Sequence, residues 1–385
     1  HLSPSVQQDP ERMSEKPQKS SQPWPEKYEL LDGFRGIAAS GVVLHHLHVA
    51  DIGHYCVMMF FVISGYCITA SAISGIRKDT TTRSFIYNRI RRIYPPYLLA
   101  VAFFATTRLV RFLITGEAWA PSLTAWLQNL TITQWLTLVL HPMADAPQNP
   151  TLFVTAFWSL NYEIQFYLVM AVGLALARHR RVPLVQSVGA LTLIAMVLNL
   201  GWPALAVRGF FIEYWAHFGF GAGLYFLLCG GSRRWATASV ALVLLLSFVI
   251  WRSLEMQTDQ FVESQRVFGE YVVSIGTVLT LLLLRPYDAV VSRQWLWRPI
   301  AAIGTISYSL YLVHQFNLTA VAKVASLMLP STIAVSANLG LQFFLHLLVA
   351  TVFWICCERP FQRSSKVAPH PQVPDANSLS AVRGP

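Results

Sequence analysis

Ten times between residues 33 and 357 the chain runs apolar for about the length that crosses a bilayer. An α-helix needs roughly 20 such residues to span hydrocarbon, and a helix satisfies its own backbone groups where water cannot. The runs lie at about 33–50, 55–75, 94–115, 152–177, 182–200, 209–228, 235–251, 267–284, 299–318 and 332–357. They predict an all-α polytopic integral membrane protein with about ten transmembrane helices. Composition agrees: only 12% of residues are charged, against about 25% in a soluble domain.

The connections sort by charge. One side receives Arg77, Lys78, Arg83, Arg89, Arg91 and Arg92, then the basic residues at 178–181, 233–234 and 285–298, and the basic C-terminal segment. The other side receives Arg208, Arg252, Arg266 and Lys323, and its long loop 116–151 holds no Lys or Arg. Basic loops stay in the cytoplasm, so the basic side and both termini are expected there, as an even number of spans requires. The same distribution accounts for the net charge of +10 without nucleic acid. Residues 1–29 read as a disordered cytoplasmic tail, 30–361 as the transmembrane domain and 362–385 as a flexible cytoplasmic tail. The loop 116–151, with Trp126 and Trp135, reads either as an interfacial or re-entrant helix or as a plain ordered loop. The five cysteines show no metal or disulfide spacing, and buried apolar positions are expected for them.

Polar groups inside a bilayer are costly and face a cavity or a partner. The first run, "LDGFRGIAASGVVLHHLHV", carries Asp32, Arg35, His45 and His46; the fourth carries Asn161 and Glu163; the sixth Glu213 and His217; the ninth Ser307, Tyr308, Tyr311 and His314; the tenth His346, with Glu358 at its end. Arg35 and His46 are 11 residues apart, which on a helix is three turns plus about 20° and a rise of about 16 Å. Asp32 falls about 40° from His46 on the same face, and His45 points elsewhere. One face thus holds a cation near one end and an imidazole deeper in. The plainer account is a snorkelling arginine and a helix-packing histidine, but it leaves Glu163 and His314 unexplained.

Six blocks together resemble the acyltransferase-3 family of integral membrane acyltransferases. "LDGFRGIAASGVVLHH" is similar to its opening, with the Arg-x10-His motif on Arg35 and His46. "MFFVISGYCIT" resembles its second-span signature, and "YNRIRRIYPPYL" its Arg-x-x-Arg element, on Arg89 and Arg92. "FWSLNYEIQFYLV", with Glu163, "ISYSLYLVHQF", with His314, and "ERPF" complete the series in family order over residues 30–361. Two departures stand out: His45 offers a second imidazole beside His46, and no esterase-like domain follows the last block, which reads as a stand-alone form.

The resemblance implies transfer of an acyl group, often acetyl from acetyl-CoA, to a hydroxyl, commonly of a sugar. An acceptor hydroxyl needs a base, and histidine titrates near physiological pH; His46 is expected in that role. Asp32, Glu163 and His314 all stay open as the group that orients it or moves its proton. A variant has His46 itself acylated. Arginine binds phosphates bidentately, so Arg35, Arg89 and Arg92 are the expected donor site for acyl-CoA; lipid headgroups and topology are the plainer account of 89–92. No metal is expected. Ser64 is read as a packing contact, Glu358 as a structural cap, and Gly65, Gly219, Gly221 and Gly223 as points of close helix contact. The expected setting is a bacterial inner membrane and the expected acceptor a surface or exported glycan or a lipid-linked sugar. Rival readings are a small diffusible acceptor and a proton-coupled transporter; the absence of inverted repeats and broken helices argues against the second.

Overall fold

A computed structural model of the chain describes residues 28–141, 149, 151–179, 183–201, 208–229, 261–329 and 335–362. The expected span 235–251 and almost all of both expected tails lie outside these residues. Helices of six residues or more are α1 Leu30–His46, α2 Gly53–Arg77, α3 Thr82–Thr115, α4 Leu123–Thr131, α5 Trp135–Leu140, α6 Trp158–His179 and α7 Leu184–Gly201. They continue with α8 Trp215–Cys229, α9 Phe261–Leu284, α10 Trp297–Thr305, α11 Ser307–Val313, α12 Leu318–Met328 and α13 Val335–Phe353. No strand occurs among the described residues. Five segments are long and apolar enough to cross a membrane: Gly53–Arg77, Thr82–Thr115, Thr155–His179, Arg266–Val291 and Ala337–Phe361.

Apolar side chains cover the outside of the bundle as well as its centre. On α3, Leu109, Phe112, Leu113 and Ile114 are all exposed, and on α13 so are Phe344, Leu348 and Val352. Surfaces of that kind are stable against lipid and not against water. Between helices the apolar effect is then weak, and close packing holds them. Two crossings show how. A β-carbon on Gly304 of α10 would overlap the Asp32 carbonyl, and one on Gly36 of α1 would overlap the Ile300 carbonyl. Gly65 of α2 and Gly221 of α8 meet the Phe218 and Val62 carbonyls in the same way. Backbones touch at both points, and only glycine fits. Gly219 instead abuts Thr192, and nothing lies within 4 Å of a β-carbon on Gly223.

Several sequence boundaries move. The third run begins at Tyr94 in the sequence reading, yet α3 starts twelve residues earlier, at Thr82, and is one helix of 34 residues with Pro95 and Pro96 inside it. Proline cannot donate to the carbonyl four residues back, so the carbonyls of Arg91 and Arg92 lose their helical partners. The adjoining Ile93 carbonyl takes the Tyr308 hydroxyl at 2.9 Å. The ninth run is interrupted at Ile306, where α10 ends and α11 begins, and it turns again over His314–Asn317 before α12. That interruption corrects the expectation of unbroken helices.

The loop after α3 folds into α4 and α5. Ser122 caps α4 by accepting from the Ala125 amide at 3.1 Å. The buried Asn129, Gln134 and Gln128 bond one another and their neighbours, Gln134 donating to Asn129 Oδ1 at 2.9 Å and Thr137 to Gln128 at 2.9 Å. At the end of α13 the helix widens into one π-helical stretch, Trp354–Glu358. Glu358 is buried there, accepts from Ser309 of α11 at 2.5 Å and from Gln362 at 2.9 Å, and so ties the two helices together. All five cysteines are unpaired; Cys56 is buried, while Cys356 is exposed on the outer surface, against expectation.

Candidate active site

α1 carries Arg35 on its second turn and His46 as its last residue, so the helix links two polar regions about 16 Å apart. Around Arg35 lies a cavity of about 110 Å³, bounded by α1, α2, α3, α6 and α11. Arg35, Arg89 and Arg92 all line it, and Glu163 is its one carboxylate. Arg89 and Arg92 are three residues apart and share a face of α3. The Arg89 guanidinium lies 5.4 Å from the Phe85 ring centre and 5.9 Å from that of Tyr167, which holds its plane while leaving its Nε without a hydrogen-bond partner. The same three arginines, with Arg91, Asn88 and Asp32, line a wider recess of about 510 Å³. Cavity and recess therefore share a wall of guanidinium groups.

None of these three arginines has a carboxylate within 4 Å among the described residues. Glu163 accepts instead from the Ser64 hydroxyl at 3.3 Å and from the Tyr167 hydroxyl at 2.5 Å. Three cations against one hydrogen-bonded carboxylate make the space an attractive one for an anion. Ser307 and Tyr311 also line it, and Ser307 Oγ is buried without a partner. Ser64, read in the sequence as a packing contact, thus belongs to the wall and bonds Glu163. Tyr167 was missed, although its spacing of four from Glu163 puts the two on one helical face.

The second region is made of imidazoles. The His46 ring lies 5.0 Å from the His314 ring, centre to centre. The turn over His314–Asn317 places His314 there, fully buried. Its Nδ1 is 3.1 Å from the Leu310 carbonyl and 2.9 Å from the Tyr311 carbonyl. A carbonyl only accepts, so Nδ1 carries the hydrogen, and Nε2 of the neutral ring holds a lone pair. That Nε2 is buried with no partner. His346 of α13 is also fully buried, and neither of its ring nitrogens has a partner among the described residues. His45 packs edge-on against His46 at 5.0 Å, and its Nδ1 is 3.2 Å from Asp51.

Tyr311 stands between the two regions. It lines the cavity, its hydroxyl donates to the Ala156 carbonyl and so accepts from Ser159 at 3.0 Å, and its ring lies 6.4 Å from that of His314. The structure therefore joins Arg35, Arg89, Arg92 and Glu163 around one cavity and puts Asp32 at its mouth. Of the three groups open as partners of His46, it brings only His314 beside it. Glu163 is engaged with Ser64 and Tyr167, and Asp32 is 14 residues away along α1, about 21 Å.

A further polar network serves the bundle itself. Glu270 of α9 is 2.6 Å from His54 and 3.7 Å from His217, and His217 Nδ1 is 2.8 Å from Ser274. Glu213 accepts from Tyr162 at 2.5 Å and from the Gly209 amide at 2.9 Å. These groups satisfy one another across α2, α6, α8 and α9. Among the described residues, no group of three or more His, Cys, Asp or Glu is arranged to hold a metal ion.

Comparison with known proteins accounts for this architecture. The acyltransferase domain family matches residues 28–358. The O-acetyltransferase OatA of Staphylococcus aureus (strain NCTC 8325 / PS 47) is 25% identical over 307 residues, covering 74% of this chain and 49% of that protein. The chain thus spans about half the length of OatA. The exopolysaccharide production protein ExoZ of Rhizobium meliloti (strain 1021) is 26% identical over 338 residues, covering 84% of this chain and 92% of ExoZ. The putative membrane-bound transacylase BcsY of Komagataeibacter xylinus is 27% identical over 288 residues, covering 74% and 71% of the two chains. No solved structure matches. With the family pattern covering nearly all of the described helices, the chain belongs to the acyltransferase-3 family and carries its acyltransferase domain.

Proposed function

We propose that this acyltransferase moves an acyl group, acetyl in the first instance, from acyl-CoA in the cytoplasm to a sugar hydroxyl of a surface or exported glycan or its lipid-linked precursor. It does so as a multi-pass protein of a bacterial inner membrane, with its basic end and both termini in the cytoplasm. The observation that carries the reading is the set of three half-buried guanidiniums, Arg35, Arg89 and Arg92, facing a cavity with one carboxylate. Acyl-CoA brings phosphates, which arginine holds through charge-assisted bonds. The wide recess suits its charged nucleotide, and the narrow cavity suits the thin arm that carries the thioester. The names of OatA and ExoZ support acetyl as the group and polysaccharide as the acceptor.

His46 takes the proton of the acceptor hydroxyl. His314, fixed with its hydrogen on Nδ1, presents a lone pair to the same space and orients the His46 ring. Asp32 and Glu163 serve the donor side instead. Family membership sets the transporter alternative aside.

The test is CoA release by purified protein in detergent, with acetyl-CoA and a panel of glycan, lipid-linked and small sugar acceptors. Release that depends on a glycan or lipid-linked hydroxyl is the expected result. Turnover with small diffusible sugars alone replaces the acceptor class. Failure of the wild-type protein to bind acetyl-CoA at millimolar concentration overturns the donor. In sealed vesicles, acyl transfer from CoA on the basic side to an acceptor on the other is expected; transfer only when both share one side removes the crossing step.

A further inference from the structure

We propose that Arg108 and Arg111, near the far end of α3, bind the phosphate of a lipid-linked acceptor sugar. The proposal rests on the acyl-transfer reading above and on its sidedness. The two arginines are three residues apart and share a face of the helix. Arg89 and Arg92 form a pair of the same spacing, 19 residues earlier, which on a helix is about 28 Å of rise. The hydrocarbon of a bilayer is about 30 Å thick. With the first pair at the cytoplasmic recess, the second reaches the opposite headgroup layer, where lipid phosphates lie. Basic residues are otherwise sparse on that side of the chain, so the rule that keeps them in the cytoplasm does not account for this pair.

Local contacts hold the pair in place without using it up. Glu117, just past the helix, accepts from Arg111 Nε at 2.8 Å and lies 2.6 Å from its Nη2. Arg108 is 4.0 Å from the same carboxylate, too far for a hydrogen bond. Its guanidinium lies 5.8 Å from the Trp119 ring centre, and its Nε is buried without a partner. One carboxylate against two guanidiniums leaves a net positive charge. Arg108 is the member of the pair whose donors remain unmatched among the described residues. A phosphate supplies both the charge and the acceptors that are missing, and arginine takes it through charge-assisted, bidentate bonds.

The surroundings point to a phosphate that joins a long apolar chain to a sugar. The turns of α3 that carry the pair also expose Leu109, Val110, Leu113 and Ile114, an apolar wall along which such a chain can lie. From Trp119, rings lead the other way, into the bundle. Trp119 lies 5.1 Å from Phe153 and 5.4 Å from Phe104, centre to centre, and Phe104 lies 6.0 Å from Phe316. Phe316 belongs to the turn over His314–Asn317, which brings His314 to within 5.0 Å of His46. A phosphate on Arg108 therefore has lipid on one flank and, through these rings, the imidazoles on the other. An ordinary phospholipid headgroup makes use of the first flank only; a phosphate-linked acceptor makes use of both.

The experiment titrates the purified full chain in detergent with a polyprenyl phosphate, the same polyprenol without phosphate, phosphatidylglycerol and inorganic phosphate, and follows binding by tryptophan fluorescence. Wild type is compared with Arg108→Gln, Arg111→Gln and Glu117→Gln, with thermal midpoints as the check on folding. Polyprenyl phosphate is expected to bind at least about tenfold more tightly than the other three ligands, the scale of a charge-assisted bond. Arg108→Gln should weaken it about tenfold, and Arg111→Gln by less. Glu117→Gln should tighten it a few-fold, because a competing charge is gone; an ion pair kept only for the fold would give a lower midpoint and no gain in binding. Equal binding of polyprenol, or wild-type binding in folded Arg108→Gln, overturns the proposal. Phosphatidylglycerol or inorganic phosphate bound as tightly makes this a general phosphate site and overturns the acceptor assignment. In acyl transfer, Arg108→Gln should raise KM for a polyprenyl-phosphate-linked sugar about tenfold relative to KM for the same sugar free; an equal rise for both overturns the proposal as well. A wild-type protein that binds polyprenyl phosphate and transfers no acyl group upholds the phosphate site and counts against the acyl-transfer reading.

Discussion

The two ends of α1 are built on opposite plans. At Arg35 the helix faces charged groups drawn from α3 and α6, and they open through a wide recess to the surface. At His46 it meets the fully buried ring of His314, whose Nε2 is spare. The first plan suits binding: guanidiniums tolerate water, and their attraction reaches beyond contact. The second suits chemistry: few groups, little water, and one ring, His314, whose hydrogen is fixed by backbone carbonyls. One helix of 17 residues fixes how far these two polar regions are apart.

Substitutions can break that contrast, and the largest effect is expected at the imidazole end. His46→Ala should lower kcat by about 10²- to 10⁴-fold and leave acyl-CoA binding nearly intact, as equilibrium dialysis would show. His45→Ala should keep most of its activity, because His45 leans toward Asp51. A His46→Ala protein that turns over at the wild-type rate would dissolve the division of labour.

At the arginine end the expected change lies in KM. Arg35→Ala or Arg89→Ala should raise KM for acyl-CoA by about 10- to 100-fold, the scale of one or two charge-assisted bonds. Lysine should restore only part, since it lacks the fork. Higher ionic strength should raise the wild-type KM and leave kcat in place. An arginine variant that loses only kcat would move those residues into the chemistry.

Gly304→Ala tests the frame that holds both ends together. Its added methyl would press the Asp32 carbonyl of α1, and overpacking of this kind costs about 1–3 kcal/mol. A fall in thermal midpoint in detergent, with kcat and KM both impaired, is expected; an unchanged midpoint would show that the two helices can part. The smallest effect is expected from Tyr311→Phe. It removes a hydroxyl bonded to Ser159 and Ala156, worth about 1 kcal/mol, and should show as a few-fold loss in activity.

Within a helix, sequence spacing carried the argument a long way. The shared face of Arg35 and His46 follows from a period of 3.6 residues, while Arg89 and Arg92 entered through the family resemblance, and the structure puts all three arginines on one cavity. Between helices the periodicity is silent. Nothing in the spacing distinguished His314 from Asp32 or Glu163 as the neighbour of His46, because that choice depends on where α10 and α11 break. The break at Ile306 has no proline to announce it, and α3 runs through two prolines that would be expected to end it. Tyr311 lay among the polar residues of the ninth run, yet its place between cavity and imidazoles depends on α6, which is 150 residues earlier in the chain. His346 stood out only as polar; its unpartnered nitrogens became visible once the neighbouring side chains were in place.

The glycine crossing of α1 with α10 has a consequence for the donor. Helices locked backbone to backbone at Gly36 and Gly304 cannot slide or tilt past each other without opening a gap. If the thioester is to reach His46, the slender arm of the donor must do the travelling while α1 keeps still. The arm then has to reach about 16 Å, the distance that separates Arg35 from His46 along the helix, which makes α1 a fixed ruler for the length of donor such a site would accept.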